Sequence, residues 1–340
     1  MHTSKLTRRV ERGAAGAARL ARLVSSLILA LSVLAGLFSP PQPGGGGGGL
    51  LPLRTAQASS FDLKATITTG TYHTCALNGG QVYCWGWNNG GQLGNGTYTQ
   101  RTTPTLVAGG AMGSNSGVTA IDAGWGHTCA LKGGKVYCWG WNSNGRLGDG
   151  TTTDRTTPVL VADGAMVNSG VTAIAGGLHT CAIKSGALYC WGGNWVGQLG
   201  DGTTTDRTTP TLVADGEMGN SGVTAVAASD YHTCALKGGQ VYCWGSNGVG
   251  KLGDGTTTQR TTPTLVANGA MGNSGVTAVA AGWEHTLGLK DTTCLFAWGW
   301  NGRGQLGDGT TTHRTTPVQV SGGCGWGTTP RVFIPIVYRP

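Results

Sequence analysis

The chain has 340 residues, of which 63 are glycine and only 11% are charged. A formal charge of +8 points toward nucleic acid, but seven of the 23 basic residues and one of the 15 acidic ones lie in residues 1–58. The remainder holds 16 basic against 14 acidic residues and no Lys/Arg run, so it lacks the electrostatic footprint of a nucleic-acid binder.

Residues 1–22 are basic, and residues 23–38 form an apolar run of 16. A Pro-rich stretch with six glycines follows, then an Ala-Gln-Ala site ending at Ala58. This is the layout of a secretory signal peptide, so a secreted or cell-surface location is expected. Left uncleaved, the run would instead be a membrane anchor, although it is slightly short for a span. The glycine run has neither a strand before it nor a Gly-Lys-Ser/Thr after it, so it is not a phosphate loop.

From residue 59 the chain repeats itself. His73, His127, His179, His232 and His285 open five near-identical stretches, spaced 54, 52, 53 and 53 residues apart. Strict periodicity at this length marks stacked supersecondary units. Each unit reads as four strands: HTCAL, KVYCWG, TTPTLV and SGVTAI. Pro104, Pro158, Pro210, Pro263 and Pro317 are placed at the start of the third. The GAMGNSG pieces are read as a helical turn or a loop.

Four short strands per unit predict an all-β fold, a five-repeat β-propeller over residues 59–322, with a spacer and tail at 323–340. The last unit lacks SGVTAI, while residues 65–67 supply such a strand with no unit before it. The N-terminal strand is therefore expected to complete the last blade. A solenoid with open ends is the rival architecture.

Eight of the ten cysteines recur at one spacing: Cys75 and Cys84, Cys129 and Cys138, Cys181 and Cys190, Cys234 and Cys243. A two-residue turn at Gly133-Gly134 sets Cys129 opposite Cys138, at a non-hydrogen-bonded position about 4.5 Å apart, within disulfide reach. Leu287 and Ala297 replace both partners in the fifth unit. Short Cys knuckles for zinc are absent. Cys294 and Cys324 fall outside the pattern and are a further candidate pair.

Within 127–150 and 232–255, the pattern His-Thr-Cys-Ala-Leu, Gly-x-Val-Tyr-x-Trp-Gly, Asn and Gly-x-Leu-Gly resembles the regulator of chromosome condensation repeat. The resemblance covers about residues 61–322, and secreted bacterial members of that family are the most similar in kind. It implies a propeller used for protein binding; one secreted type inhibits a β-lactamase through a propeller face. The best-known members have seven blades, whereas five units are counted here. The nuclear member's nucleotide-exchange activity on a small GTPase does not follow from the fold alone. The tail at 331–340 resembles apolar-basic sorting tails of exported bacterial proteins; packing on the propeller is the alternative.

No catalytic centre, metal or cofactor is expected. Five identical histidines do not supply the different roles a reaction needs, and a hydrogen bond to a neighbouring blade suits them better than an axial metal. The loops around Asp149 and Asp201 are better read as Asx turns than as calcium loops. GVGKLG and GRGQLG match a nucleotide fingerprint only through the repeat. Trp85, Trp139, Trp191, Trp244 and Trp298 recur and are assigned to the core.

Binding residues in a repeat protein are sought where the repeat varies. The loops before each His hold Thr71 and Tyr72, Trp125, Leu178, Asp230 and Tyr231, and Trp283 and Glu284. The position after Trp-Gly holds Trp87, Trp141 and Trp300 in three units, and Trp195 is private to one. On one face these make an amphipathic rim for an unidentified protein partner. A glycan stacking on the aromatic rings is the second reading, and blade-to-blade packing the bland one.

Overall fold

The computed structural model describes residues 66–324. The export-like segment and the C-terminal tail lie outside these residues. The described chain forms five four-stranded antiparallel sheets, or blades.

Blade one holds β1 (Thr66–Thr69), β2 (His73–Asn78), β3 (Gln81–Gly86) and β4 (Arg101–Leu106). Blade two holds β5 (Val118–Ala123), β6 (His127–Lys132), β7 (Lys135–Gly140) and β8 (Arg155–Leu160). Blade three holds β9 (Val171–Gly176), β10 (His179–Lys184), β11 (Ala187–Gly192) and β12 (Arg207–Leu212). Blade four holds β13 (Val223–Ala228), β14 (His232–Lys237), β15 (Gln240–Gly245) and β16 (Arg260–Leu265). Blade five holds β17 (Val276–Ala281), β18 (His285–Lys290), β19 (Cys294–Gly299) and β20 (Arg314–Gln319).

The central hairpins have the expected register. Lys132 faces Lys135, Ala130 faces Tyr137 and Cys129 faces Cys138. The Gly79-Gly80 turn takes φ of 57° and 77°, open to glycine at no steric cost. Four disulfides staple these hairpins with Cα atoms 4.1 Å apart. Leu287 faces Ala297 where the fifth would be. The remaining pair, Cys294–Cys324, ties the start of β19 to the chain beyond β20. Each hairpin staple closes a loop of about ten residues, worth roughly 2.5–3 kcal/mol in the chain-entropy account.

Two expectations are corrected. The N-terminal strand does not complete the last blade: β1 pairs with β2, Ile67 opposite Ala76, and β17 supplies blade five with its own first strand. The SGVTAI segment belongs with the hairpin that follows it, so every blade is continuous in sequence. The prolines do not start the third strand; each is fourth of six, as Pro104 is in β4. The outer strand tolerates proline there because it is an edge strand and its pairing shifts register, between Cys84 and Gly86 in blade one. The GAM segment after β4 is a single 3-10 turn, Gly110–Met112, and Met112, Met166, Met218 and Met271 plug the space beneath the sheets.

One repeated junction joins the blades. His73 Nε2 lies 2.9 Å from Thr128 Oγ1 of the next blade. The pairs His127–Thr180, His179–Thr233 and His232–Thr286 repeat the contact at 2.8, 2.6 and 2.9 Å. Each Thr hydroxyl donates onward to a carbonyl of the preceding blade, on Gln92, Arg146, Gln198 or Lys251. With its one proton so used, the hydroxyl must accept from the imidazole, which fixes the Nε2–H tautomer. The indoles of Trp139, Trp191 and Trp244 donate to the first three of these carbonyls at 3.0 Å. Trp298 is equally buried, but its indole N–H has no acceptor among the described residues. Glycine is required beneath each ring: a Cβ on Gly148 would lie 2.5 Å from Trp191 Nε1.

Four such junctions exist among the described residues, and the fifth does not. Between blade five and blade one, neither His285 nor Thr74 makes the contact, and both are half-buried where their counterparts are buried. Trp85 is half-buried as well, which corrects its assignment to the core: no blade among the described residues precedes blade one to cover it.

A contrast follows from the junctions. Thr180→Val deprives the buried His127 Nε2–H of its acceptor, leaves the Arg146 carbonyl with the Trp191 indole alone, and lowers unfolding stability by about 1–3 kcal/mol. The same change at Thr74, on the open side, costs less than about 0.5 kcal/mol. Urea unfolding of the two variants measures both. Thiol titration in denaturant should detect no reactive thiol before reduction and all ten afterwards.

Candidate functional site

The segment before each His turns sharply into the second strand of its blade, held by a pair of backbone bonds. In blade two, Gly124 N donates to the His127 carbonyl and Trp141 N to the Gly126 carbonyl. The first bond recurs in all five blades and the second in every blade but the third, and the five variable loops come to one end of the assembly. There Thr71, Tyr72, Trp125, Leu178, Asp230, Tyr231 and Trp283 line a single cavity of about 410 Å³. Tyr72 is 61% exposed and Trp283 40% exposed, so the rim offers wide aromatic faces to solvent.

The other sequence candidates stand around this cavity in different ways. Trp87 supports Tyr72, edge to face at 5.8 Å, and Trp141 packs on Trp125 at 4.7 Å. Trp195 reaches from blade three to Tyr231 of blade four at 6.4 Å. Glu284 pairs with Lys251 and lies off the cavity lining. Trp300 sits with its own blade's His313 at 6.4 Å and also lies outside the lining.

Two cations missed in the sequence lie within the same end. Arg146 is 2% exposed, with its guanidinium carbon 5.6 Å from the centre of the Trp141 ring. It donates to Asn144 Oδ1 and Ser143 Oγ. Burial lowers its pKa to about 10, against the opposing pull of Asp154, Asp230 and Asp206. Lys251 is equally buried and bound to Glu284 and Ser246. Burial pulls its pKa down, and Glu284 partly restores it. Both occupy the variable position of Gly-x-Leu-Gly, which holds glutamine in the other three units. That alternation was the available signal.

The recurrent polar residues are occupied by the frame. The Asn of each Trp-Gly-x-Asn stretch ties its long loop: Asn142 Nδ2 donates to the Thr151 and Thr153 carbonyls, and its Oδ1 accepts from Leu147 N. Asp149 accepts from the backbone and hydroxyl of Thr151, an Asx turn, and from Arg155. Asp201, Asp254 and Asp308 repeat this with Arg207, Arg260 and Arg314. Burial raises these carboxyl pKa values, but the Thr and Arg hydrogen bonds outweigh it, and Asp308 is held down at about 2. Asp122 bridges three blades through Thr68 Oγ1 and Gly176 N. His232 is held well below its ordinary pKa by burial first, then by the charge on Lys251. His285 is lowered by burial, with Glu284 opposing.

Comparison with known proteins extends the geometry. A family model described as RCC1-like domain matches residues 54–329. The ultraviolet-B receptor UVR8 of Arabidopsis thaliana is 34% identical over 275 residues, 77% of this chain and 61% of UVR8. The probable E3 ubiquitin-protein ligase HERC4 of Homo sapiens is 34% identical over 209 residues, 60% of this chain and 19% of HERC4. The chain thus spans less than two thirds of either relative. Among solved structures, human WBSCR16 aligns with a TM-score of 0.64 at 25% identity, over 75% of this chain and 66% of that one. Yeast RCC1 (Prp20), solved bound to Kap60, aligns at 0.61 with 22% identity, over 75% and 63%, a likeness of fold.

The shifted groups define an acid response. The pKa values of His232 and His285 are depressed in the fold, so the unfolded chain binds protons first below about pH 6.5 and stability declines from there. The four carboxylates are also depressed, so their contribution is complete above about pH 4 and is lost as the pH falls toward 2. Thermal melts in low salt should show a shallow fall in midpoint below pH 6.5 and a steeper one below pH 4. Asp308→Asn should reduce only the second.

Proposed function

This chain belongs to the RCC1-like domain family, and from that premise we propose that it is a non-catalytic binding propeller that recognises a protein partner. One observation carries the reading: the loops that escape the repeat converge on one cavity, while the residues that repeat are consumed by the frame. Tyr72, Trp125, Tyr231 and Trp283 form the centre of the proposed site, with Trp87, Trp141 and Trp195 bracing it. Aromatic anchors of this kind bury large area at small entropic cost and dominate protein interfaces. Glu284 and Trp300 are assigned to its margin.

We propose further that the propeller works outside the cytoplasm, with residues 1–58 as its export segment, 59–322 as the propeller and 323–340 as spacer and tail. The similar proteins named above come from a plant, human and yeast, so a bacterial origin rests on the resemblance alone. Export is supported by the leader-like sequence and by five disulfides, which persist in oxidising compartments. Among the described residues no helix is long and apolar enough to cross a membrane. The same location argues against a nucleotide-exchange role on an intracellular GTPase. A glycan is the second reading, favoured by the exposed rings of Tyr72 and Trp283, which can stack on a sugar face.

Paired assays separate the two. The purified chain is immobilised and presented with extracellular proteins from its source culture, and separately with a glycan array. A partner of protein nature should be retained, and Trp125→Ala with Trp283→Ala should weaken it about tenfold or more, a loss of about 1.4 kcal/mol or more. Binding confined to the glycan array and abolished by that double change would sink the protein reading.

A further inference from the structure

The loop-end cavity combines aromatic walls with a single charge. Rings from four blades surround it: Tyr72 of blade one, Trp125 of blade two, Tyr231 of blade four and Trp283 of blade five. Leu178 of blade three fills the remaining sector. Three of the rings are held in place before any ligand arrives, Tyr72 by Trp87, Trp125 by Trp141 and Tyr231 by Trp195. At about 410 Å³ the space has the size of a small-molecule site.

The one ionised lining residue is acidic. Asp230 is 7% exposed and directly precedes Tyr231. Among the described residues the lining holds no basic side chain. The two buried cations of this end stand off the lining and are already matched. Lys251 is bound to Glu284. Arg146 lies over Trp141 and is shared among Asp154, Asp230 and Asp206. One guanidinium facing three carboxylates leaves the carboxylates in excess. The Tyr231 hydroxyl registers this balance: burial raises its pKa first, and the charges on Asp230 and Glu284 raise it further. The potential in the cavity is therefore negative, in a space walled by aromatic rings.

A cation complements both features. Aromatic rings attract positive charge through their quadrupole, tryptophan most strongly, and desolvation strengthens the attraction. The kind of cation follows from the hydrogen bonds on offer. A primary ammonium or a guanidinium gives up water at every N–H donor, and each donor left unmet is costly. The lining offers such donors little: rings accept weakly, Thr71 contributes one hydroxyl, and Asp230 is engaged with Arg146. A quaternary ammonium has no N–H to satisfy, and its charge is spread over methyl groups that pack against rings.

We propose that this cavity binds a quaternary ammonium group, seated among Tyr72, Trp125, Tyr231 and Trp283 with its charge held by Asp230, an assignment that rests on the loop end being the binding face. The group can arrive on a trimethylated lysine of the protein partner or as a free choline-type molecule, and the chemistry recognised is the same in both.

Calorimetric titration of the full chain with small probes tests this. Choline is compared with dimethylbutanol, in which carbon replaces the ammonium nitrogen, so the two differ in charge and hardly in shape. Ethanolamine supplies the charge with N–H donors. Choline should bind about tenfold tighter than either. Asp230→Asn should lower the choline affinity about threefold or more and leave that for dimethylbutanol unchanged. Trp283→Leu, at a ring 40% exposed, should reduce the advantage of choline over dimethylbutanol, and Trp283→Phe should restore part of it. If circular dichroism shows that Asp230→Asn does not fold, the two Trp283 variants carry the test. Titration with N-acetyl-trimethyllysine amide identifies the source: tighter binding than choline places the group on a protein, and weaker binding makes it a free ligand. Equal affinity for choline and dimethylbutanol overturns the proposal and leaves an apolar binding face. Ethanolamine bound as tightly as choline also overturns it, as does choline binding that neither Asp230→Asn nor Trp283→Leu alters. Choline that does not bind at all overturns it too, and the binding-face reading then depends on whether Trp125→Ala with Trp283→Ala still weakens protein capture.

Discussion

The assembly depends on a short polar relay between blades, in which an imidazole N–H bonds a threonine hydroxyl that bonds a backbone carbonyl of the preceding blade. Hydrophobic contacts would hold neighbouring sheets together without fixing their rotation. The relay fixes it, because three groups with defined donor and acceptor roles must align at 2.6–3.0 Å in a fully buried space. Burial makes the arrangement stringent: an unmade bond there leaves polar groups away from water, at a cost several times the net gain of making it. The tryptophan indole on the same carbonyl adds area to direction, and the glycine beneath it lets the ring approach. A recurrent His, Thr, Trp and Gly in each unit are therefore four parts of one device.

That device explains why the function candidates were legible in outline. Residues that repeat at His73, Cys75, Trp139 or Asp149 had to serve every blade and so could not mark a unique site. Those that vary at Tyr72, Trp125, Tyr231 and Trp283 were free of the frame, and they share one cavity because each precedes a histidine placed identically by its blade. Gly-x-Leu-Gly holds a further departure from the repeat that is not legible as such: the glycines around Arg146 and Lys251 are regular, and a charged residue beside a glycine reads as solvent-facing. Only the structure buries them. Hairpin register was readable down to single residues, since a two-residue turn and paired cysteines leave no other alignment. Blade boundaries were not, because a period of 53 residues has no intrinsic starting point. Whether SGVTAI ends one unit or begins the next is decided by which hairpin it bonds, a tertiary fact.

The placement of that strand has a larger consequence. In a propeller whose first and last blades share strands, ring closure is a condition of completing the final sheet. Here each blade owns all four of its strands, from β1 to β4 and from β17 to β20. Closure is thereby uncoupled from folding of the blades. Stability becomes a sum of five blade terms and four junction terms, as in a linear repeat array, rather than the five and five of a closed ring. Blades one and five, which have one neighbouring blade each among the described residues, have the most to gain from covalent support. Blade one has its hairpin disulfide, and blade five, which lacks one, has Cys294–Cys324 fastening the chain beyond its outer strand.

An array with one junction unmade also divides its surface into two kinds. The loop end presents residues that change from blade to blade, so its recognition is particular to this chain. The open edges present residues that recur in every blade. Aromatic exposure alone would not distinguish these surfaces, since Trp85 and Trp283 are both partly open to solvent. What separates them is whether the molecule already contains a partner for the side chain. Trp85 has four internal counterparts seated on a glycine and a carbonyl, or on the glycine alone in the case of Trp298. Trp283 has one counterpart, Trp125, which lines the same cavity rather than a blade junction. Repetition within a single chain thus serves as its own control: a contact made elsewhere in the molecule defines what an exposed copy of it will accept, and an exposed residue with no such precedent is available for a foreign ligand.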